Sequence, residues 1–387
     1  MSADRRSGAP ALRDDLERGL AAPICLTWEL TYACNLACRH CLSSSGRRDP
    51  DELTAAEARA VVDELSAMQV FYVNIGGGEP MLRSDFFDLL AYSVANGVGV
   101  KFSTNGTRLT RARAVQLSAL DYVDVQVSVD GATAAVNDAV RGPGSFAAAT
   151  AAMGHLADAG FGRFKVSVVV TRHNLGQLDG LAALADRYGA QLRLTRLRPS
   201  GRGADTWEEL HPTADQQRAL YRWLLDRPDV LTGDSFFHLS ALGEPLEGLN
   251  LCGAGRVVCL IDPVGDVYAC PFVIHSEFLA GNVRDVGGFA GVWRGSPLFA
   301  ALREPHSAGA CASCGSYDAC RGGCMAAKFF TGLPLDGPDP ECVFGHGETA
   351  LSVSAPATIP RPGADHSKTS RAGPVRLASP TRRPVHA

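Results

Sequence analysis

Apolar and polar positions alternate along this chain on two length scales. Through the first two-thirds, short runs dense in Val, Leu, Ile and aromatic residues are separated by longer segments whose apolar positions recur every three or four residues. Six runs read as strands: 24–31 (ICLTWELT), 70–77 (VFYVNIGG), 99–105 (GVKFSTN), 122–130 (YVDVQVSVD), 165–171 (KVSVVVT) and 192–199 (LRLTRLRP). Helical period fills the gaps. The segment 54–68 opens on Thr54 with Glu57 three positions on, a capping box in which each side chain satisfies the other's backbone N–H. The segment 146–160 closes on Gly160, a residue suited to the left-handed turn that ends a helix.

Regular β–α alternation predicts a parallel sheet with crossover helices. Six units fit a partial (β/α)6 TIM-like barrel, with a doubly wound open sheet as the alternative. From about residue 250 the helical period fades and cysteines crowd together, while 257–271 reads as a hairpin turning at PVGD. The expected organisation is a flexible N-terminal arm (1–20), a barrel (21–200), a linker (201–249) with one helix at 213–227, a cysteine-rich domain (250–347) and a disordered tail (348–387) rich in Pro, Ser, Ala and Arg.

Charge narrows the partners. With 37 basic and 41 acidic residues the net charge is −4, which gives no electrostatic case for nucleic acid or an anionic membrane. The start of the chain is charged and lacks a signal-peptide core, and no apolar run reaches the roughly 18–20 residues needed to span a bilayer. The expected location is the cytoplasm. Thiols stay reduced there, so twelve cysteines point to metal rather than disulfides.

Cys34, Cys38 and Cys41 stand at C-x3-C-x2-C spacing after the first strand. A closed thiolate site takes four ligands. Three thiolates suffice for three irons of a 4Fe–4S cube and leave the fourth iron open; a zinc site or scattered buried cysteines is the plainer reading. The next strands end in GGGEP (76–80), STNG (103–106) and SVDG (128–131), the last followed by Arg141. Any one of these is also an ordinary turn signal. In succession they place small and polar groups at the carboxyl ends of the strands, where α/β folds bind ligands.

In that order the motifs resemble the radical S-adenosylmethionine (SAM) enzymes over about 24–200. The resemblance implies SAM bound to the open iron and cleaved to a 5′-deoxyadenosyl radical. It implies His40 near the adenine, Gly77, Gly78 and Glu79 in the segment meeting the methionine amine, and Ser103, Asn105 and Ser128 at ribose or methionine. It also implies Arg141 as a carboxylate partner.

The second cysteine set has its core at Cys311, Cys314, Cys320 and Cys324, spaced C-x2-C-x5-C-x3-C. Paired C-x2-C knuckles also occur in zinc ribbons. With Cys252, Gly265, Cys270 and Cys342 in order, the set resembles the SPASM extension of peptide-modifying radical SAM enzymes. By that analogy Cys252, Cys259, Cys270 and Cys324 hold one auxiliary cluster, and Cys311, Cys314, Cys320 and Cys342 a second, making three [4Fe-4S] clusters in all. Cys25 is left over and reads as a small buried hydrophobe.

Longer stretches, among them LTWELTYACNLACRHCLSSSGRRDP and RLRPSGRGADTWEELHPTADQQ, are similar to the mycofactocin radical SAM maturases. That family implies oxidative decarboxylation of the C-terminal Tyr of a ribosomal precursor peptide ending Val-Tyr, then a carbon–carbon bond to the Val. It also implies a small peptide-binding chaperone and an electron donor of reductase, flavodoxin or ferredoxin type. Asp266 is a candidate base, against the plainer role of a hairpin-turn Asp. Arg196, Arg198 and Arg202 are candidates for a peptide carboxylate, against a linker bonded to nearby carbonyls. Other SPASM maturases, thioether-forming or formylglycine-generating, and a non-catalytic iron–sulfur carrier are the competing readings.

Overall fold

Six parallel strands form the core of a computed structural model that describes residues 15–233, 236–248, 250–304 and 308–353, apart from the side chains of Cys25, Ser352 and Val353. They are β1 (Cys25–Glu29), β2 (Tyr72–Gly76), β3 (Gly99–Thr104), β4 (Val123–Ser128), β5 (Phe164–Val170) and β6 (Gln191–Arg196). The connecting helices are α1 (Ala55–Ala67), α2 (Phe86–Ala95), α3 (Arg111–Ser118), α4 (Ala134–Arg141), α5 (Ser145–Asp158) and α6 (Leu178–Arg187), and α7 (Ala214–Leu225) follows β6. Both halves of the Thr54–Glu57 capping box form at the start of α1, and Gly160 takes φ +68 just past the end of α5.

The strands lie side by side in sequence order, from β6 to β1, without the reversal that defines a doubly wound sheet. Their faces are unequal. Leu26, Trp28, Val73, Ile75, Val100, Phe102, Val125, Val127, Val166, Val168 and Leu194 are buried in one core with Val61, Val62, Leu65, Leu89 and Leu90 of the helices. The alternate positions carry Thr27, Glu29, Asn74, Ser103, Gln126, Ser128, Ser167, Arg193 and Thr195. Register lines up Ser103 with Gln126, and Ser128 with Ser167 and then Arg193. A parallel sheet covered by helices on both faces would be apolar on both. This one has a polar second face, the inside of a partial barrel.

The sheet continues past residue 250. Strand β7 (Val258–Ile261) pairs in parallel with β1, and β8 (Asp266–Tyr268) and β9 (Leu279–Asn282) add an antiparallel edge, giving nine strands. The hairpin expected at 257–271 is β7–β8. The sheet also curls. β6 and β8 are far apart in strand order, yet Arg198 after β6 lies over the Phe272 ring after β8, 3.9 Å from its centroid.

Helical structure does not end at 250. Helices α8 (Gly288–Gly295) and α9 (Pro297–Arg303) place Phe289, Trp293, Phe299 and Leu302 in the main core, and α10 (Met325–Phe330) and α11 (His346–Val353) follow. The described residues that fall within the expected arm (1–20) and tail (348–387) have defined places in the fold. Leu16 is buried with Leu251 and Val257, and Leu20 is packed against them, because apolar side chains there have a hydrophobic neighbour. Residues 346–353 are helical. Residues 1–14 and 354–387, and the side chain of Cys25, lie outside the described residues. No described helix is long and apolar enough to cross a membrane.

Candidate active site at the carboxyl ends of the strands

The loop after β1 carries Cys34, Cys38 and Cys41, all half-buried thiols. The rest of the barrel fixes its backbone. Cys34 N donates to Gly46 O (3.0 Å), Arg39 N to Val140 O (2.9 Å) and Arg202 N to Cys41 O (2.9 Å). The Arg202 side chain caps two more carbonyls, Cys38 O at 2.8 Å and Ser45 O at 3.0 Å. Burial is the largest influence on the Cys34 and Cys38 thiols and raises both; Cys41 lies close enough to raise them further, and Arg141 opposes the shift at Cys38.

The GGGEP segment packs directly on this loop. Gly78 N donates to Thr31 O and Glu79 N to Ala33 O, each at 2.8 Å. A Cβ on Gly78 would stand 2.0 Å from Ala33 O, so only glycine allows this approach. Glu79 is fully buried and accepts from Thr104 Oγ1 (2.9 Å), Asn105 N (2.8 Å) and Met81 N (3.4 Å). Burial lifts its carboxyl to about 7 against those bonds. The side chain thus ties β2 to β3. Asn105 ties β3 to the cysteine loop by donating to Asn35 Oδ1 at 3.1 Å. Ser103 and Ser128 are different: half-buried on the polar face, their hydroxyls make no hydrogen bond among the described residues.

His40 and Arg141 meet on the acid of SVDG. Asp130, at the end of β4 and fully buried, lies 2.5 Å from His40 Nε2 and 2.6 Å from Arg141 Nε, and accepts from Val169 N at 2.7 Å. Burial alone would raise this carboxyl; the charges of Arg141 and His40 hold it well below the usual range. His40 Nδ1 is buried without a partner. Only the spacing of SVDG to Arg141 hinted at Asp130, because its partners come from three separate segments.

A second buried acid pair faces the loop from the other side. Glu29, at the end of β1, is 3% exposed and its Oε2 has no partner. Asp262, just past β7, accepts from the hydroxyl of Tyr32 at 2.7 Å. Burial and then the neighbouring carboxylate raise both: Glu29 to about 8 beside Asp262, and Asp262 to about 7 beside Asp266. Asp266 itself accepts from Asn282 Nδ2 (2.8 Å) within the hairpin. Asp266 is thus hydrogen-bonded across the hairpin, while Glu29 and Asp262 lie against the segment around the loop. In sequence, Glu29 was legible only as a charge in a strand, two positions from Thr27 on the polar parity.

Seven of the C-terminal cysteines fall into two groups. The Cys270 thiol is raised by burial first and then by Cys252 and Cys324 beside it. Cys259 is fully buried in β7, within electrostatic reach of Arg303. Cys311, Cys314, Cys320 and Cys342 line a single pocket with Tyr317 and Phe344. Among the described residues no three His, Cys, Asp or Glu side chains converge on one metal ion. A four-iron cluster takes one thiolate per iron, so its ligands need not converge on one point. Grouped thiols in a loop and around a pocket fit such clusters chemically. Arg196 links this region to the barrel: it pairs with Asp339 at 2.5 and 2.9 Å and with Glu341, and Asp339 accepts from Cys324 N at 2.7 Å.

Comparison with known proteins agrees with this geometry. Residues 28–185 match the radical SAM superfamily, and residues 252–315 match the SPASM iron-sulfur cluster-binding domain. The chain is 67% identical over 379 residues to a mycofactocin maturase of Mycolicibacterium smegmatis, covering 97% of this chain and 96% of the relative. It is 66% identical over 382 residues to the mycofactocin maturase of Mycobacterium tuberculosis, covering 98% and 97%. The chain belongs to the mycofactocin maturase family. Solved structures share the fold: Streptococcus suis SuiB bound to S-adenosylmethionine has a TM-score of 0.67 at 17% identity, covering 84% of this chain and 78% of that one. A structure of anSMEcpe with bound AdoMet and a peptide scores 0.63 at 16% identity, covering 85% and 98%. As a member of the mycofactocin maturases the protein is a radical SAM enzyme, and its domains imply SAM and 4Fe–4S clusters. The SPASM match ends at 315, so Cys320, Cys324 and Cys342 lie beyond it.

Proposed function

We propose that this enzyme matures a ribosomal precursor peptide ending Val-Tyr by decarboxylating the terminal tyrosine oxidatively and then joining the tyrosine-derived unit to the penultimate valine through a carbon–carbon bond. The observation that carries the reading is the 67% identity, over nearly the whole chain, to a mycofactocin maturase. Bound SAM and the clusters supply a 5′-deoxyadenosyl radical to remove a hydrogen atom and metal centres to take up an electron. Cys34, Cys38 and Cys41 would hold the SAM-binding cluster; Cys252, Cys259, Cys270 and Cys324 a second; Cys311, Cys314, Cys320 and Cys342 a third.

The protein's own residues supply position and polarity. Glu79 and Asn105 hold the strand ends against the cysteine loop. Gly77, Gly78, Ser103, Ser128 and His40 would contact SAM, with Arg141 held by Asp130 beside Cys38. Glu29, protonated near neutral pH, offers a hydrogen-bond donor rather than a negative charge to an anionic substrate, while Asp262, raised to about 7, accepts from Tyr32. Asp266 would act through Asp262, whose carboxylate accepts from its N–H at 2.9 Å. A small peptide-binding chaperone, an electron donor of reductase, flavodoxin or ferredoxin type and a cytoplasmic location complete the proposal.

Mass spectrometry of the anaerobically reduced enzyme with SAM, precursor and chaperone tests it. Loss of about 46 Da (CO2 and two hydrogens) from the tyrosine is expected. 5′-Deoxyadenosine without a change in the peptide would remove this substrate; neither product, with clusters intact, would favour an electron carrier.

A further inference from the structure

Three arginines follow the start of RLRPSGRG, and the structure gives each a different environment. Arg196 is neutralised by Asp339 and Glu341. Arg202 is occupied by the carbonyls of Cys38 and Ser45. Arg198 is nearly as buried as Arg196, at 6% exposure, but pairs with no carboxylate among the described residues. Its Nη1 donates to Arg196 O (2.8 Å), its guanidinium lies over the Phe272 ring, and its Nε has no acceptor. Two residues on, Ser200 is 2% exposed and its hydroxyl is also without a partner. Ser200 N donates to Arg198 O at 2.8 Å, so one turn carries both uncommitted groups.

A buried guanidinium without a carboxylate is costly, and stacking on a ring and the nearby sulfur of Cys270 offset only part of that cost. A planar fork with a hydroxyl beside it matches a carboxylate, which accepts two parallel N–H bonds and a third from the hydroxyl. The turn also lies within electrostatic reach of Cys270. It follows β6, and through Phe272 it touches the segment that carries Cys270, between the barrel mouth and the C-terminal thiols. The carboxylate of SAM has a different expected partner, Arg141, beside Cys38 and Asp130.

We propose that Arg198 and Ser200 form the seat for the free C-terminal carboxylate of the peptide substrate. The inference rests on the reading of the enzyme as a peptide maturase acting at a C-terminus. It makes the terminal carboxylate a recognition element as well as the group removed.

Binding separates this from the chemistry. A fluorescently labelled precursor ending Val-Tyr and the same peptide as its C-terminal carboxamide are titrated by anisotropy into the reconstituted holoenzyme at saturating SAM, with chaperone held constant. The wild type binds the acid at least about tenfold more tightly than the amide, the scale of one charged hydrogen-bonded pair. R198M abolishes the preference while iron content and SAM affinity hold, and S200A narrows it to a few-fold. Equal wild-type binding of acid and amide overturns the proposal. So does a preference that survives R198M, or an R198M effect on SAM affinity instead. If R198M does not fold, S200A decides: an unchanged preference overturns the proposal. Acid preference without any peptide mass loss would leave the seat standing and remove the proposed reaction.

Discussion

The two cysteine regions are built in opposite ways. Around Cys34, Cys38 and Cys41, the backbone bonds reach Gly46, Val140, Gly78, Glu79 and Arg202, which belong to different parts of the barrel. Around Cys311 to Cys324, they run between near neighbours: Cys314 N to Cys311 O, Tyr317 N to Cys314 O, Gly323 N to Cys320 O. Side chains tie it to the rest of the molecule: Arg196 pairs with Asp339 and Glu341, Arg218 donates to Val343 O, and Arg321 faces Glu17. The barrel preforms the first site, whereas local turns form the second around a thiol-lined pocket. Such a region depends for its order on what the thiols hold, because metal binding and folding are then one equilibrium.

The largest expected effect follows from that contrast. C320S or C342S in the reconstituted enzyme should raise amide exchange across 311–345 by about 100-fold or more, whereas C34S should leave exchange in β1–β6 within a few-fold. Comparable loosening of both regions would break the comparison. Next is the link between them. R196M leaves Asp339 and Glu341 buried without their cation and should cost about 3–5 kcal/mol in denaturant unfolding. R39A, which removes a partly exposed pair with Glu209, should cost less than about 1 kcal/mol.

A smaller effect is set by pH. Glu29 and Asp262 hold their protons more tightly folded than unfolded, with folded values of about 8 and 7. The stability this gives is fully present below the ordinary carboxyl range, near pH 4, and is lost as pH rises through 7 and 8. Stability should therefore fall across pH 5–8 through this pair, and E29Q should flatten the slope; an unchanged slope would take Glu29 out of the account. Smallest is T54A, which removes the solvent-exposed capping box of α1. It should cost about 1 kcal/mol with SAM cleavage unaltered.

How much of this was legible in the sequence depends on the range of the interaction. Strand and helix positions came through because period and caps are local: β5 was expected at 165–171 and lies at Phe164–Val170, and Thr54 caps as its spacing implied. The partial barrel was the expected fold over a doubly wound sheet, and the parity of Asp124, Gln126 and Ser128 against Val125 and Val127 supports it. A doubly wound parallel sheet would have had no polar face. The pairing of β7 with β1 was not readable, since nothing local states which edge a hairpin joins. For the same reason Asp130 was missed as the hub of His40 and Arg141. The arginines of RLRPSGRG looked alike until Asp339 and Glu341, over 140 positions away, were found against only one of them.

The central claim is that the preformed loop holds the SAM-cleaving cluster and the C-terminal thiols hold separate auxiliary clusters. Iron content and 5′-deoxyadenosine formation in the C34A/C38A/C41A protein, reconstituted beside wild type, test it most directly. The account predicts a loss of about one-third of roughly twelve irons, the share of one 4Fe–4S cluster in three, together with complete loss of 5′-deoxyadenosine. SAM cleavage that survives in this variant, or iron lost from all sites together, would contradict it.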